Sequence, residues 1–149
     1  MSETLTKAAA RNIFYGGTVF FFVVFFLLSA QTVASISDAT DKHPVTPGVA
    51  GGKHVFEKHA CINCHTLLGE GAYFAPELGN VWVRYGGKDD PDGAREALKA
   101  WMKGQPSGVE GRRQMPQFNL SEKELDDLAD FFKWTSEIDT KNWPPQVSG

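Results

Sequence analysis

The chain has 149 residues, with 15 Lys and Arg against 18 Asp and Glu, for a formal net charge of −3. That length suits one domain of ordinary size. No basic block is present, so the composition gives no reason to expect a nucleic-acid partner.

The charges are unevenly placed. After a short polar start (residues 1–11) there is none from Asn12 to Ser37, a stretch holding six of the 11 phenylalanines. About twenty helical residues, rising about 1.5 Å each, cross a bilayer core about 30 Å thick, so residues 12–37 are expected to form a transmembrane helix. A cleaved signal peptide is the alternative, with Val33-Ala34-Ser35 and Ser35-Ile36-Ser37 as weak cleavage sites. Its apolar region would be only about 7–15 residues long, which favours a retained anchor in membrane lipid. Lys7 and Arg11 precede the span, while Asp38 and Asp41 follow it. The positive-inside rule then predicts a single-pass protein of the bacterial inner membrane, N-terminus cytoplasmic and the rest periplasmic.

Residues 38–47 read as a linker, and residues 48–149 as the extramembrane domain. A short helix is expected from about Gly48 to Ala60, with Val49, Gly52, Val55, Phe56 and His59 on one side. From Cys61 to Lys88 the sequence is glycine-rich, without sustained periodicity, and predicts loop. Ala94, Ala97, Leu98, Trp101 and Met102 recur at helical spacing within residues 92–104, with Asp92 as the expected N-cap and Gly104 as the stop. A second glycine- and proline-rich loop covers residues 104–119. Ser121 and Glu124 then form a capping box, and Leu125, Leu128, Ala129, Phe132 and Thr135 line one helical face before Pro144-Pro145. Three helices joined by two such loops lack the material for a protein-only core. A large apolar cofactor enclosed by the loops would supply it.

The two cysteines stand in 61-CINCH-65. A disulfide across so short a loop is strained and stabilises little. A thiol oxidoreductase motif belongs between a strand and a helix of an α/β fold, and no such pattern is present. A structural zinc site needs about four ligands, and no second cysteine pair is present to complete one. Covalent attachment of one haem c uses Cys61 and Cys64 as thioethers and His65 as proximal iron ligand, and so accounts for all three residues. The other face of the iron has candidates in His43, His54, His59, Met102 and Met115. His54 and His59 share the short helix before the attachment site, and His43 lies in the linker. Met102 reads as core. Met115 sits in a loop before Pro116, free of any helix, and is expected to be the distal ligand. Methionine/histidine pairing is the usual arrangement in electron-transfer cytochromes c. A core methionine and an open sixth position are the alternatives. With both ligands the iron is closed to substrates, so this chain carries electrons and has no catalytic acid, base or nucleophile of its own.

The attachment motif resembles that of class I cytochromes c, in which a proline at a similar distance offers its carbonyl to the proximal histidine. The resemblance gives Pro76 that role. The anchor, the haem motif, 67-LLGEGAYFAPELGNVW-82 and 115-MPQF-118 together resemble the small subunit of bacterial nitric oxide reductases. The expected fold is all-α, a single N-terminal transmembrane helix followed by a class I cytochrome c domain. The resemblance implies a heterodimer with a large catalytic subunit that holds two b-type haems and a non-haem iron and reduces nitric oxide to nitrous oxide. It implies a soluble periplasmic cytochrome c or small copper protein as donor. It also implies a calcium ion at the subunit boundary, with Gly71 and Tyr73 as contacts through oxygen; packing against the haem edge is the other reading of Tyr73 and Phe74. The rivals are a free-standing membrane-anchored electron shuttle and a haem-based gas sensor. Arg112 and Arg113 are candidates to pair with haem propionates, with simple solvent exposure as the alternative. The acidic run Glu122, Glu124, Asp126, Asp127 and Asp130 reads as a solvated helix face, with docking of a basic donor as its functional alternative.

Overall fold

The computed structural model describes residues 5–140. The chain divides into two compact units between Lys42 and His43. The first is one helix, α1 (Lys7–Lys42). The Thr6 hydroxyl accepts the Ala9 N–H at 3.2 Å and caps its start. The stretch Lys7–Ile36 is long and apolar enough to cross a membrane, and none of it is buried within the chain. Phe22 and Phe26, one turn apart, stack with ring centroids at 6.2 Å. The helix runs past Ser37 into the segment expected to be linker. No proline or glycine interrupts residues 38–42, and the first residue that bars a helix is Pro44, which also restricts His43.

The second unit is mostly helical. Its elements are α2 (Pro47–Lys58), a 3₁₀ turn at Cys61–Asn63, β1 (Thr66–Leu67), β2 (Glu70–Gly71), α3 (Val81–Arg84), α4 (Pro91–Lys103) and α5 (Glu122–Glu137). Thr46 caps α2, accepting from the Val49 N–H, and Pro47 follows at the first helical position. α2 packs on α5 more extensively than any other pair of elements pack together. Gly52 makes this approach close: a Cβ there would lie 2.0 Å from the carbonyl oxygen of Asp127 and 2.6 Å from the Phe131 side chain. Phe56 then meets Phe131 and Phe132 with ring centroids at 5.7 and 6.4 Å. Burying each such ring contributes about 1.5–3 kcal/mol. α2 ends where Ala60 takes a left-handed conformation, φ 52°.

Asp90, not Asp92, caps α4. Its Oδ1 accepts the Gly93 N–H at 2.9 Å, Pro91 takes the first helical position, and Asp92 lies in the first turn. α5 has the full capping box: Ser121 Oγ accepts the Glu124 N–H, and the Glu124 carboxylate accepts the Ser121 N–H at 2.9 Å. Pro144 and Pro145 lie outside the described residues. The first loop holds more structure than its sequence predicts. β1 and β2 form a two-residue hairpin paired Thr66 to Gly71 and Leu67 to Glu70. Leu68 and Gly69, both at positive φ, make its turn.

Candidate cofactor site

The polypeptide around 61-CINCH-65 is wound tightly. The N–H groups of Cys64 and His65 both donate to the Cys61 carbonyl, at 3.1 and 2.9 Å. The following loop folds back onto this turn, with Ala72 N–H on Ile62 O at 3.0 Å and Ala75 N–H on Cys64 O at 2.8 Å. Gly71, at φ 118°, permits the return, because a Cβ there would meet the His65 carbonyl oxygen at 2.3 Å.

Cys61 and Cys64 are unbridged. Burial pushes the Cys61 thiol up to about 11. A thiol that does redox chemistry needs a lowered value, so this environment speaks against that chemistry. No cluster of three metal-ligating side chains exists among the described residues.

His65 is buried, and its Nδ1 lies 2.7 Å from the Pro76 carbonyl oxygen. With Nδ1–H donating there, Nε2 is left with a lone pair to offer. Two adjoining cavities, of about 240 and 560 Å³, share Cys61, His65, Pro76, Trp101 and Met115 in their walls. The larger falls within the range of cofactor clefts, roughly 300–1,000 Å³, and the smaller extends it inward. Leu98, Leu128 and Phe132 make the smaller one apolar, and Cys64 joins the wall of the larger. On the α4 face Ala94, Leu98 and Met102 are buried, whereas Ala97 is exposed and Trp101 is 41 % exposed and borders both cavities. The residues present therefore fit a large apolar group joined to the two thiols and ligated by the imidazole.

Met115 is half-buried and borders both cavities. Met102 also reaches the smaller one, but is 8 % exposed and belongs to the core cluster. His59 lines the larger cavity, with its ring 5.1 Å from that of Phe118. Its Nε2 is buried without a hydrogen-bond partner among the described residues. Nothing in the sequence pattern points to that atom; only the packing of Phe118 against the ring reveals it. Arg113 borders the larger cavity and lies over the Phe74 ring at 4.1 Å, whereas Arg112 borders neither cavity. Gly71 and Tyr73 lie on the exposed loop outside both cavities, and the Tyr73 hydroxyl donates to Gly69 O at 3.4 Å.

The acidic run on α5 is committed within the chain. Glu122 pairs with Lys99 and Lys103, Glu124 with Lys58, Asp126 with Lys99 and Arg95, Asp127 with Lys123, and Asp130 with Arg95. All but the Asp127–Lys123 pair, which lies within α5, clamp α5 to α2 and α4, a structural use for charges that the sequence also offered as a docking face.

The fold and this site define a class, the c-type cytochromes, and the cytochrome c family model matches residues 49–136. The nitric oxide reductase C-subunit of Paracoccus denitrificans is 55 % identical over 150 aligned residues, and that of Stutzerimonas stutzeri 56 % over 149. The corresponding protein of Halomonas halodenitrificans is 51 % identical over 150. Each match covers the whole of both chains. The chain belongs to the family of nitric oxide reductase C-subunits, and its cytochrome c domain implies a covalently bound haem c.

Proposed function

We propose that this chain is the electron-entry subunit of a membrane-bound nitric oxide reductase. It accepts electrons from a soluble periplasmic cytochrome c or small copper protein and delivers them to a large b-haem and non-haem-iron catalytic subunit. The observation that carries this reading is the meeting of Cys61, His65 and Met115 at one pair of cavities, with His65 Nδ1 already engaged by Pro76.

When bound, the haem supplies a one-electron couple at its iron. Cys61 and Cys64 bind it covalently, and His65 offers Nε2 as proximal ligand. Pro76 holds the imidazole in one tautomer and raises its basicity. Met115 supplies the distal thioether sulfur, which raises the reduction potential above that of a bis-histidine pair. Leu98, Leu128 and Phe132 line the smaller cavity with apolar surface, which disfavours water beside the haem.

α1 anchors the chain, with Lys7 and Arg11 keeping the N-terminus cytoplasmic and the haem domain periplasmic. Gly71 and Tyr73 contact a calcium ion shared with the catalytic subunit. Their exposure on a loop outside the cavities supports such a contact, and the two residues alone fall short of the six to eight oxygens calcium takes, so the partner must supply others.

A double variant, Cys61→Ser with Cys64→Ser, tests the electron-entry role in membranes that still assemble the catalytic subunit. Nitric oxide reduction driven by a periplasmic c-type donor is expected to cease, while a small-molecule reductant that reaches the b haems directly still supports it. Undiminished donor-driven reduction would contradict the reading.

A further inference from the structure

The carbonyl that meets His65 is not held by its own loop alone. Pro76 O belongs to the Pro76–Glu77 peptide, and Glu77 is gripped at both ends. Its Oε1 accepts the Leu68 N–H at 2.6 Å and the Gly79 N–H at 2.9 Å, and its Oε2 accepts the Gly69 N–H at 3.4 Å. Its own carbonyl accepts from Arg84 Nη2 at 2.8 Å, while Arg84 Nη1 donates to Asn80 Oδ1 at 2.8 Å. Leu78 N–H closes the ring of contacts on Thr66 O, one residue after His65, at 2.9 Å.

We infer that Glu77 is a positioning residue for His65. Its carboxylate ties the Pro76 peptide to the hairpin that follows the imidazole, and so fixes the length and direction of the His65 Nδ1–H···O bond. Leu68 is central to this. It stands at φ 52°, a conformation that a leucine adopts rarely, and its N–H is the closest donor to Glu77. The carboxylate therefore also holds the turn that sets the hairpin. Burial by itself would push the Glu77 carboxyl up. The hydrogen bonds from Thr66 and from the N–H groups of Gly79, Leu68 and Gly69 outweigh that and keep it below the usual range, so the group is anionic at neutral pH. A carbonyl held firmly on Nδ1–H makes the imidazole a stronger donor to iron and favours the oxidised state.

This rests on the reading of His65 as proximal ligand. The test uses the full complex, with Glu77→Ala, Glu77→Gln and, as a control remote from the loop, Ser121→Ala. The readouts are the ferric low-spin electron paramagnetic resonance spectrum and the reduction potential of the c haem, together with thermal stability. Glu77→Ala is expected to raise the potential and to broaden the low-spin signal. Glu77→Gln keeps an oxygen for Leu68 and Gly79. It is expected to restore the narrow signal and to raise the potential less, because it loses the charge and the acceptor for Gly69 but keeps the other two bonds. A Glu77→Ala variant that melts earlier, yet matches Ser121→Ala in signal and potential, would reduce Glu77 to a structural brace and overturn the inference. If His65→Gly left the c-haem low-spin signal intact, the proximal assignment itself would fall, and the inference with it.

Discussion

His65 Nδ1 and the carbonyl oxygen of Pro76 are 2.7 Å apart, across eleven residues of chain. The contact does two things. It commits the Nδ1 proton to the protein, and it turns Nε2 into the available ligand. The same loop must pass beneath the Cys61–Asn63 turn to make the contact, which is why Gly71 presses against the His65 carbonyl.

Met115 and Met102 can be told apart by substitution. Met115→Leu is expected to abolish the methionine–iron absorption band and lower the reduction potential. Met102→Leu, a volume-conserving change in the core, is expected to keep the band and cost less than about 1.5 kcal/mol of stability. Optical spectra and redox titration of both variants decide the matter, and a band that survives Met115→Leu rules Met115 out as ligand.

Gly52→Ala tests the α2–α5 contact. The added methyl would lie 2.0 Å from Asp127 O, a backbone atom that cannot move without shifting α5. Overpacking of this kind costs about 1–3 kcal/mol. A clear fall in the melting temperature of the complex's c-haem signal is the expected result, and an unchanged value would mean that the two helices are not so close.

Acid sensitivity follows from the cap of α5. The Ser121 N–H, Lys58 and the Ser121 hydroxyl together hold the Glu124 carboxyl down at about 2. A carboxyl depressed by folding stabilises the native state above its unfolded value of about 4.3, and the contribution is lost as pH falls from there toward 2. Glu124→Gln is therefore expected to narrow the difference in melting temperature between pH 7 and pH 3. An equal drop in variant and parent would exclude Glu124 as a source.

Much of this was legible in the sequence, for identifiable reasons. The haem motif reads directly, because two cysteines and a histidine at that spacing leave little else to do. The capping box of α5 reads directly too, being a local contact between Ser121 and Glu124. The start of α4 misleads, since Asp90 and Asp92 flank Pro91 and only the proline's fitness for the first helical turn selects the earlier one. The hairpin at Thr66–Gly71 is invisible in the sequence because two-residue strands have no period. The fate of the α5 carboxylates is hidden for another reason. Their partners Lys58, Arg95, Lys99 and Lys103 come from other helices, which sequence spacing cannot bring together. The orphaned His59 Nε2 likewise depends on a neighbour, Phe118, far along the chain.

The central claim is that this chain works as the c-haem subunit of a nitric oxide reductase and not as a free shuttle. Its most direct test is the absorption spectrum of material purified in mild detergent through a tag on this chain. Reduced bands of c and b haem are expected together, in a complex that contains the large subunit. A c-haem band alone, from a protein that emerges without a partner, would contradict the claim.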